Sequence, residues 1–327
     1  MKTIAHCLTA CSVFALLSSA ACVADEKIYT DPAKAGEDFK IQGEYSGNLE
    51  IDGEKLPFAL QVIALGDHKF DGVAYVGGLP GAGAVGDVNA HAKASGSTKD
   101  GVTKLTSDEG FAVIKDGKAE IQDIEGKVVG TLKKANRKSA TLGKKPPAGA
   151  LVLFDGSTAD HFKNGKVVDG KHLAADCETK EKFDDYSLHL EFRTPFKPHA
   201  RGQARGNSGV YLQGRYECQV LDSFGLEGKD NECGGIYQIA EPNVNACFPP
   251  LSWQSYDIDF TAARWEDGKK VANARVTIRH NDILIHDDLE LPHATPGKYP
   301  EAEGPGPIYL QGHGNPVVYR NIWIVKK

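Results

Sequence analysis

The sequence lacks the features that mark nucleic-acid-binding, membrane-spanning and zinc-binding proteins. Its 327 residues carry a formal net charge of -6 and no block of basic residues, so a nucleic-acid partner is not expected. After the first residues, no stretch is apolar over a length that crosses a bilayer, and no transmembrane segment is predicted. No Cys-x-x-Cys occurs, so neither a zinc site nor a redox motif is indicated.

What the sequence does contain indicates a globular protein built from β-strands. Long apolar helical repeats are missing, whereas glycine is plentiful with 36 residues, and this combination favours β-structure with many turns. Charged residues make up 25% of the chain and hydrophobic residues 41%, which is ordinary for a globular protein. The length predicts about two domains.

Residues 1–24 have the pattern of a secretory signal, with an early lysine, an apolar run and then small residues. We expect cleavage after Ala21 or Ala24 and therefore an exported protein, either periplasmic or extracellular. Cleavage that left Cys22 as the first residue would instead produce a lipoprotein. Ser19 stands where a lipoprotein signal prefers a Leu-like residue, which disfavours that alternative.

Four further cysteines follow the signal, and four cysteines in an exported protein allow three full pairings. Cys233 and Cys247 flank a loop of 13 residues, so we expect these two to form a disulfide. We expect Cys177 and Cys218 to be buried thiols.

Residues 25–135 are predicted to form a small antiparallel β domain, with a barrel as one form that it could take. Pairs such as Asp52-Gly53 and Asp116-Gly117 separate its predicted strands and are hairpin signals. The predicted strands are 39–46, 58–64, 69–76, 102–105, 110–114, 118–124 and 127–132.

Residues 81–86 of this domain match G-x-G-x-x-G, a pattern found in dinucleotide sites. Such a site also needs a helix that opens at the third glycine within a βαβ unit. Predicted hairpins surround the segment instead, so we interpret it as an exposed glycine loop.

A basic and proline-containing stretch, residues 136–150, is predicted to link this domain to a second one, residues 151–327. The second domain has many short predicted strands and no long helix, which fits a sandwich of two antiparallel sheets. Its predicted strands are 187–192, 208–213, 216–222, 236–239, 255–260, 274–280, 283–286, 308–311 and 317–325.

Residues 205–225 stand out within the second domain because they predict two strands of unusual polarity that meet at 213–215. Alternation places polar side chains on one side of each strand, as a sugar site requires. Two ordinary half-exposed strands are the alternative. The residues on those sides are Asn207, Gly209, Tyr211 and Gln213 in the first strand and Glu217, Gln219 and Leu221 in the second.

Six motifs of the second domain occur in the order that one family shows. They are Leu-Phe-Asp-Gly at 153–156, Asn-Ser-Gly-Val-Tyr-Leu-Gln-Gly-Arg-Tyr-Glu-Cys-Gln-Val-Leu-Asp-Ser at 207–223, Gly-Gly-Ile-Tyr at 234–237, Trp-Gln-Ser-Tyr-Asp at 253–257, Ile-Tyr-Leu-Gln-Gly-His-Gly at 308–314 and Arg-Asn-Ile-Trp at 320–323. Over residues 150–325 the chain resembles the 3-keto-disaccharide hydrolase domain, also described as 3-keto-glucoside 1,2-lyase and 3-keto-2-hydroxyglucal hydratase. The resemblance implies a concanavalin A-like jelly roll that acts on an oxidised sugar or glycan.

Chemistry beside a C3 ketone needs a base for the acidic C2 proton, a group that holds the C3 oxyanion and an acid for the leaving oxygen. Glu217 is the candidate base, with Gln219, Asn207 and Tyr211 lining the pocket. Family-16 glycoside hydrolases, which share the jelly roll, carry a Glu-x-Asp-x-x-Glu-like run on one strand. Here Gln219 replaces the middle carboxylate, which disfavours a hydrolytic carboxylate pair.

Five further residues are candidates for the same pocket. Gln311 and His313 alternate along one segment, so both could face it, and His313 is a candidate acid or base. Tyr237 could stack on the sugar or donate a proton, and packing is the alternative. Arg201 and Arg205 lie on a glycine-rich loop and could hold a keto oxyanion, unless they are simply solvated.

A divalent metal is a possible cofactor because it would stabilise an enolate, yet no spacing matches an established ligand motif, and no metal site is predicted. The suitable donors would be Glu217, Asp222, Gln311 and His313. Two other functions stay open, a true glycosidase and a glycan-binding module. In the binding module Trp253, Trp265, Tyr211 and Tyr237 would stack on sugar rings.

Overall fold

The computed structural model describes residues 27–85 and 92–327. The predicted signal at residues 1–24, with Cys22, and the last residue of the glycine loop, Gly86, lie outside the described residues. The described chain forms an eight-stranded barrel followed by a two-sheet sandwich, which confirms the all-β prediction. In the described part, none of the helices has the length and apolar character that crossing a membrane requires.

The barrel is antiparallel and closed, because each strand pairs with the next and the eighth pairs with the first. Closure leaves no unpaired strand edge around the wall. The strands are β1 Gly43–Ile51, β2 Glu54–Gly66, β3 Lys69–Val76, β4 Lys93–Lys99, β5 Val102–Ser107, β6 Gly110–Lys115, β7 Lys118–Gln122 and β8 Val128–Ala135.

Tight turns set the order of the barrel strands. Asp52 and Gly53 have φ values of 52° and 83°, as the hairpin signal in the sequence predicts, and this twist matches that of the flanking strands. Strand β4 was not predicted, because it contains only lysine and small residues and has no apolar alternation. It is nevertheless required to complete the wall between β3 and β5.

One end of the barrel is closed by residues from outside its wall. A short helix, α1 Gly36–Ile41, packs there, preceded by a 3₁₀ helix, Pro32–Lys34. Phe196 and Leu251 of the sandwich complete the apolar cluster at this end of the barrel. The two units therefore share a core.

The sandwich contains a five-stranded sheet in the order β10-β13-β22-β15-β16 and a larger sheet in the order β11-β12-β23-β14-β17-β20-β21, with β9 paired to β23. Pairing of strands distant in sequence is what a jelly roll requires. A hairpin, β18–β19, and a 3₁₀ helix, Gly202–Ala204, complete the unit. The strands are β9 Leu151–Phe154, β10 Phe162–Lys163, β11 Val167–Val168, β12 His172–Ala174, β13 Cys177–Thr179, β14 Tyr186–Arg193, β15 Ser208–Leu212, β16 Tyr216–Val220, β17 Gln254–Thr261, β18 Arg264–Glu266, β19 Lys269–Ala272, β20 Ala274–His280, β21 Ile283–Leu291, β22 Tyr309–Leu310 and β23 Val318–Lys326.

The segment predicted as a strand at 236–239 is irregular, and that prediction was wrong. Only isolated bridges form there, from Ile236 to Cys218 and to Ala240. Gly234 just before it has a φ of 87° and bends the chain, so the apolar residues pack inward without a ladder.

The predicted linker packs along the larger sheet of the sandwich. Ser139 and Thr141 hydrogen-bond the Ser255 hydroxyl at 2.6 and 2.7 Å. The Gly143 amide donates to Glu191 Oε1 at 2.6 Å. These contacts attach the segment to the sandwich, so it does not act as a free tether.

All four described cysteines are buried free thiols, which confirms the prediction for Cys177 and Cys218. The expected disulfide between Cys233 and Cys247 is absent from the structure. Both side chains lie in the core, where the Cys233 sulfur contacts the Tyr256 hydroxyl at 3.3 Å. The Cys247 thiol donates to backbone carbonyl groups.

Candidate functional site

The candidate site lies on the hairpin formed by β15 and β16. The turn residues Gln213 and Gly214 have φ values of 52° and 66°, so the chain reverses tightly there. This turn pairs Tyr211 with Glu217 and Gly209 with Gln219, and paired residues share one face of the sheet. The sequence-based prediction of a common polar face is confirmed.

The alternate positions of the same hairpin fix its register. Val210, Leu212, Cys218 and Val220 are completely buried in the sandwich core. A slip by one residue would exchange these side chains with the polar ones, so burial of the apolar face holds the polar face in place.

Four side chains form a row across the five-stranded sheet. Glu178 on β13 pairs with Tyr309 on β22, Tyr309 pairs with Tyr211 on β15, and Tyr211 pairs with Glu217 on β16. Neighbouring strands lie about 4.8 Å apart, so three strand spacings, about 14 Å, separate the backbones of Glu178 and Glu217 at the two ends of the row.

Glu217 is a buried carboxyl group with only 3% of its surface exposed. Burial raises the pKa of Glu217 to about 7, although a hydrogen bond from Tyr211 opposes the shift. The Tyr211 hydroxyl donates to Glu217 Oε2 at 2.9 Å. A Cβ atom at Gly209 would overlap Glu217 Oε1, so this glycine makes room for the carboxyl group.

The Tyr211 hydroxyl has a second acceptor, the Pro296 carbonyl at 3.0 Å. Burial, followed by the nearby Glu217 charge, raises the pKa of Tyr211, so the phenol keeps its proton. One proton serves one acceptor at a time. Tyr211 can therefore donate to Glu217 when that group is ionised, and to Pro296 when Glu217 holds a proton of its own.

Amide side chains surround the carboxyl group. Asn207 Nδ2 donates to Gln203 Oε1 at 2.8 Å, and Gln311 Nε2 donates to the Tyr211 hydroxyl at 3.3 Å. The hydrogen bonds of Gln219 are best satisfied when its nitrogen donates to the Ser208 carbonyl at 2.6 Å and to Glu217 Oε1 at 3.3 Å.

Two amide oxygen atoms of this group are buried without a hydrogen-bond partner among the residues that the structure describes. They are Asn207 Oδ1 and Gln311 Oε1. Buried polar atoms usually have partners, and unpaired acceptors are suited to the hydroxyl groups of a sugar.

At the other end of the row, Glu178 has a different electrostatic environment. Burial opposes ionisation there, but hydrogen bonds from Tyr299 and Lys163 outweigh it and lower the pKa of Glu178. The Tyr299 hydroxyl donates at 2.8 Å and the Lys163 ammonium at 3.1 Å. The Lys298 ammonium lies 4.2 Å from the centre of the Tyr309 ring.

A segment much later in the sequence, residues 295–297, covers the row. The Glu217 amide donates to Thr295 Oγ1 at 2.9 Å. A Cβ atom at Gly297 would overlap the Tyr211 hydroxyl, and the φ of 132° at Gly297 also favours glycine. Glycine therefore lets the segment approach the phenol closely.

Comparison with known proteins identifies the family of the chain that carries this site. A family model described as a 3-keto-alpha-glucoside-1,2-lyase-like domain matches residues 149–325, more than half of the chain. The chain belongs to this family. The resemblance found in the sequence is thereby confirmed, and the site hairpin lies within the lyase-like domain.

Solved structures agree with this placement. The lyase-like domain is similar to a crystal structure, described as a candidate glycosyl hydrolase from Parabacteroides distasonis ATCC 8503, with 33% identity and a TM-score of 0.51 over 55% of this chain and 85% of that one. A second candidate glycosyl hydrolase from the same organism shows 17% identity and a TM-score of 0.39 over 55% of this chain and 94% of that one. No curated protein matches the chain. The family match and the similarity to the first of these crystal structures together indicate a hydrolase-like, carbohydrate-active enzyme.

Some residues predicted for the site of the lyase-like domain lie together, whereas His313 and the two arginines do not. Glu217, Gln219, Tyr211 and Gln311 form one hydrogen-bonded group. Asn207 adjoins it through Gln203 Oε1, which lies 3.2 Å from the side-chain amide of Gln219. His313 was expected beside Gln311, but its side chain is exposed and makes no hydrogen bond within the described part of the chain. Its role as acid or base stays a prediction.

Tyr237 lies beside this group. Its amide donates to the Glu217 carbonyl at 3.3 Å, and its phenol is half-buried near Tyr211. It is therefore placed where it could contact a substrate.

The two arginines face the barrel. Arg205 is buried, pairs with Asp222 at 2.7 Å and donates to the Ala64 carbonyl of the barrel at 3.1 Å. Arg201 donates to the Leu65 carbonyl at 3.0 Å. Because both guanidinium groups hold the barrel against the sandwich, we leave them out of the proposed substrate site.

Sequence reasoning missed several members of the site. Alternation with Gln311 could have indicated Tyr309, whereas no local signal marks the others. They come from a short strand, a 3₁₀ helix and an irregular segment that only the fold brings together. The missed residues are Glu178, Gln203, Thr295, Pro296, Tyr299 and Tyr309.

The four donors considered for a divalent metal do not come together in one cluster. Within residues 27–85 and 92–327, no set of three or more histidine, cysteine, aspartate and glutamate side chains is arranged to hold a metal ion. Asp222, one of those donors, accepts from Arg205 through Oδ2 and from the Phe224 amide through Oδ1.

Proposed function

We propose that the protein cleaves 3-keto-glycosides by removing the C2 proton beside the C3 ketone, with Glu217 as the base. One observation carries the proposal: a buried carboxylate with a pKa of about 7 lies among amide and phenol side chains. A base whose pKa is close to the operating pH is the most effective kind of proton acceptor.

The reaction would proceed in two steps. Glu217 takes the C2 proton, the electron pair forms an enolate on the C3 oxygen, and collapse of the enolate breaks the bond from C1 to the leaving oxygen. The leaving oxygen takes a proton from water and departs as an alcohol, which leaves a 3-keto-2-hydroxyglucal and a hydroxide ion. Water then adds across C1 and C2, with hydroxide at C1 and a proton at C2, and the net result is hydrolysis.

The groups around Glu217 suit both steps. Once Glu217 is protonated, Tyr211 turns its proton to Pro296 and accepts from the carboxyl group, so the acid form is stabilised. This proton exchanges with water before hydration, in which Glu217 delivers a solvent-derived proton to C2. Asn207 and Gln311 offer unpaired oxygens to the hydroxyl groups of the sugar.

A conventional glycosidase mechanism fits the row poorly. It needs two carboxyl groups about 5–9.5 Å apart, on either side of the bond. The other acidic residue of the row, Glu178, lies three strands away, with its backbone about 14 Å from that of Glu217. Glu178 is also bound by Tyr299 and Lys163.

A glycan-binding module without catalysis is supported less well. Trp253 was a candidate platform for a sugar ring, but the Arg320 guanidinium lies 3.9 Å from the ring centre and that of Arg193 lies 5.1 Å away. The Tyr211 hydroxyl is bound to Glu217.

Turnover of matched substrates tests the proposal. The purified protein, with and without added Mg²⁺ or Mn²⁺, should convert a 3-keto-glucoside and leave the unoxidised glucoside intact. Glu217→Gln should abolish turnover. The control Glu290→Gln, which changes an exposed residue on β21, should leave turnover unchanged. Glycan binding without turnover would overturn the proposal in favour of a binding module, and cleavage of the unoxidised glucoside would favour a glycosidase.

We also propose that the protein is exported, on the strength of the signal-like pattern in residues 1–24. N-terminal sequencing of the protein from its natural host should find a chain that starts at residue 22 or 25. An intact initiator methionine would refute export through this signal.

A further inference from the structure

The barrel has one closed end and one open end. Strand β1 starts and β2 ends at the closed end, where Phe196 and Leu251 complete the apolar cluster. At the other end a cavity of about 510 Å³ enters the barrel. Eight-stranded barrels are just wide enough to hold one small ligand, and this volume falls in the usual range for small-molecule sites.

The wall of the cavity is mostly apolar. Leu49, Leu56, Phe58, Leu60 and Ile121 contribute large side chains to it. Apolar surface that stays open to water costs free energy, which burial by an apolar ligand would recover.

Small side chains keep the cavity open. Ala74, Ala94, Ala112 and Gly110 line it from four strand positions where larger residues would fill the barrel. Small barrels are commonly filled by their own side chains, so this set of small residues indicates space for another molecule.

The entrance is apolar as well. Ile51 and Val76 both line the cavity, and they are 47% and 41% exposed. Exposed aliphatic side chains that are continuous with an apolar cavity are typical of a binding site, whereas isolated ones are ordinary.

Charges around the entrance are mostly negative. Four acidic residues, Glu50, Asp52, Glu109 and Asp123, line the cavity together with a single base, Lys127. This arrangement attracts a cation and repels an anion such as a fatty acid.

We propose that the open end of the barrel binds a small apolar ligand whose polar end is cationic. This site is separate from the Glu217 row, and the proposal does not depend on the proposed function. It would give the N-terminal domain a binding role of its own.

Fluorescence titration of the full chain tests the site. N-phenyl-1-naphthylamine, a neutral apolar probe, should bind with increased emission. Ala112→Phe places a ring in the cavity and should raise the dissociation constant at least about tenfold. The matched control is Val113→Phe, which points away from the cavity on the same strand and should leave binding unchanged. Ala74→Leu provides a smaller filling variant if Ala112→Phe does not fold, as judged by thermal unfolding.

Displacement of the probe by amphiphiles of equal chain length, below their micelle concentrations, tests the charge preference. Decyltrimethylammonium should displace the probe at a concentration at least about fivefold lower than decanoate. The double variant Glu50→Gln, Glu109→Gln should reduce the ratio of the decanoate concentration to the decyltrimethylammonium concentration needed for displacement. The proposal is overturned if the probe does not bind, if both phenylalanine variants bind it equally, or if decanoate competes as well as the cation.

Discussion

Glu217 combines a functional advantage with a cost in stability. An unfolded glutamate has a pKa near 4.5, whereas burial raises that of Glu217 to about 7. Because the folded state binds this proton more tightly, the contribution of Glu217 to folding is complete below pH 4.5. It is lost as the pH rises through 7. Such a cost is common where a site needs a particular charge.

Replacing Glu217 by glutamine should therefore stabilise the protein, and only at higher pH. The shift corresponds to a gain of up to about 3 kcal/mol at pH 8 and little at pH 4.5. Denaturant unfolding of wild type and Glu217→Gln at both pH values measures the difference. An equal change in the free energy of unfolding at both pH values would show that the pKa of Glu217 is not raised.

The pH dependence of the reaction should report the same group. Because the base must be ionised, kcat/KM should rise with pH to a plateau, with a midpoint near 7. Tyr211→Phe removes the hydrogen bond that lowers the pKa of Glu217, so the midpoint should move upward by about one unit. A midpoint that stays near 7 in this variant would contradict the assigned role of Tyr211.

The sequence predicted part of this site and missed its environment. Alternation identified Asn207, Tyr211, Glu217 and Gln219 because residues on adjacent strands need only a correct turn to meet. It could not show the environment that sets the pKa of Glu217, which includes a segment almost 80 residues further along the chain. It also could not show that Arg205 is buried, because the sequence of a glycine-rich loop does not indicate whether the loop is solvated or packed.

At the scale of the element, the β15–β16 hairpin is shaped by a glycine. Gly209 faces Glu217 across the strands, and a Cβ atom there would overlap the carboxyl group. Its backbone makes an ordinary strand, so space around Glu217 is what requires glycine.

Gly209→Ala should therefore impair the reaction more than the fold. The methyl group would move the flexible end of Glu217 away from its position, and we expect kcat/KM to fall at least about a hundredfold. The unfolding midpoint should change little. The two measurements together check the claim, and unchanged kcat/KM would mean that the precise position of the carboxyl group is unimportant.

Elements were predictable where residues alternate clearly and not elsewhere. Strands β3, β6 and β20 were predicted nearly to their ends, since apolar residues mark one face of each. Strand β4 has no such pattern and is specified by its neighbours in the closed barrel. The opposite error occurred at residues 236–239, where apolar residues pack without pairing.

In the whole molecule, a buried ion pair of the sandwich lies at its contact with the barrel. Arg205 and Asp222 are both buried, and the guanidinium also donates to a carbonyl group of the barrel. The sequence predicted two β domains and a linker. It did not show that the domains share a core, because that depends on side chains which meet only after both have folded.

Asp222→Asn should destabilise the protein by about 3–5 kcal/mol, since it leaves a buried guanidinium without its counter-charge. The matched control is Asp288→Asn, which breaks the exposed pair with Arg275 and should cost at most about 1 kcal/mol. Denaturant unfolding of both variants makes the comparison. Equal effects would show that the buried pair of Arg205 and Asp222 contributes no more to stability than a surface pair.

The proposed mechanism requires that a proton leaves C2 and that Glu217 removes it. The most direct measurement is turnover of a 3-keto-glucoside in D₂O, followed by mass spectrometry and NMR of the 3-keto-glucose released. Elimination and hydration through Glu217 should place one solvent deuterium at C2, and Glu217→Gln should release no product. Product without deuterium at C2 would mean that the glycosidic bond breaks without proton abstraction and would contradict the role of Glu217 as the base.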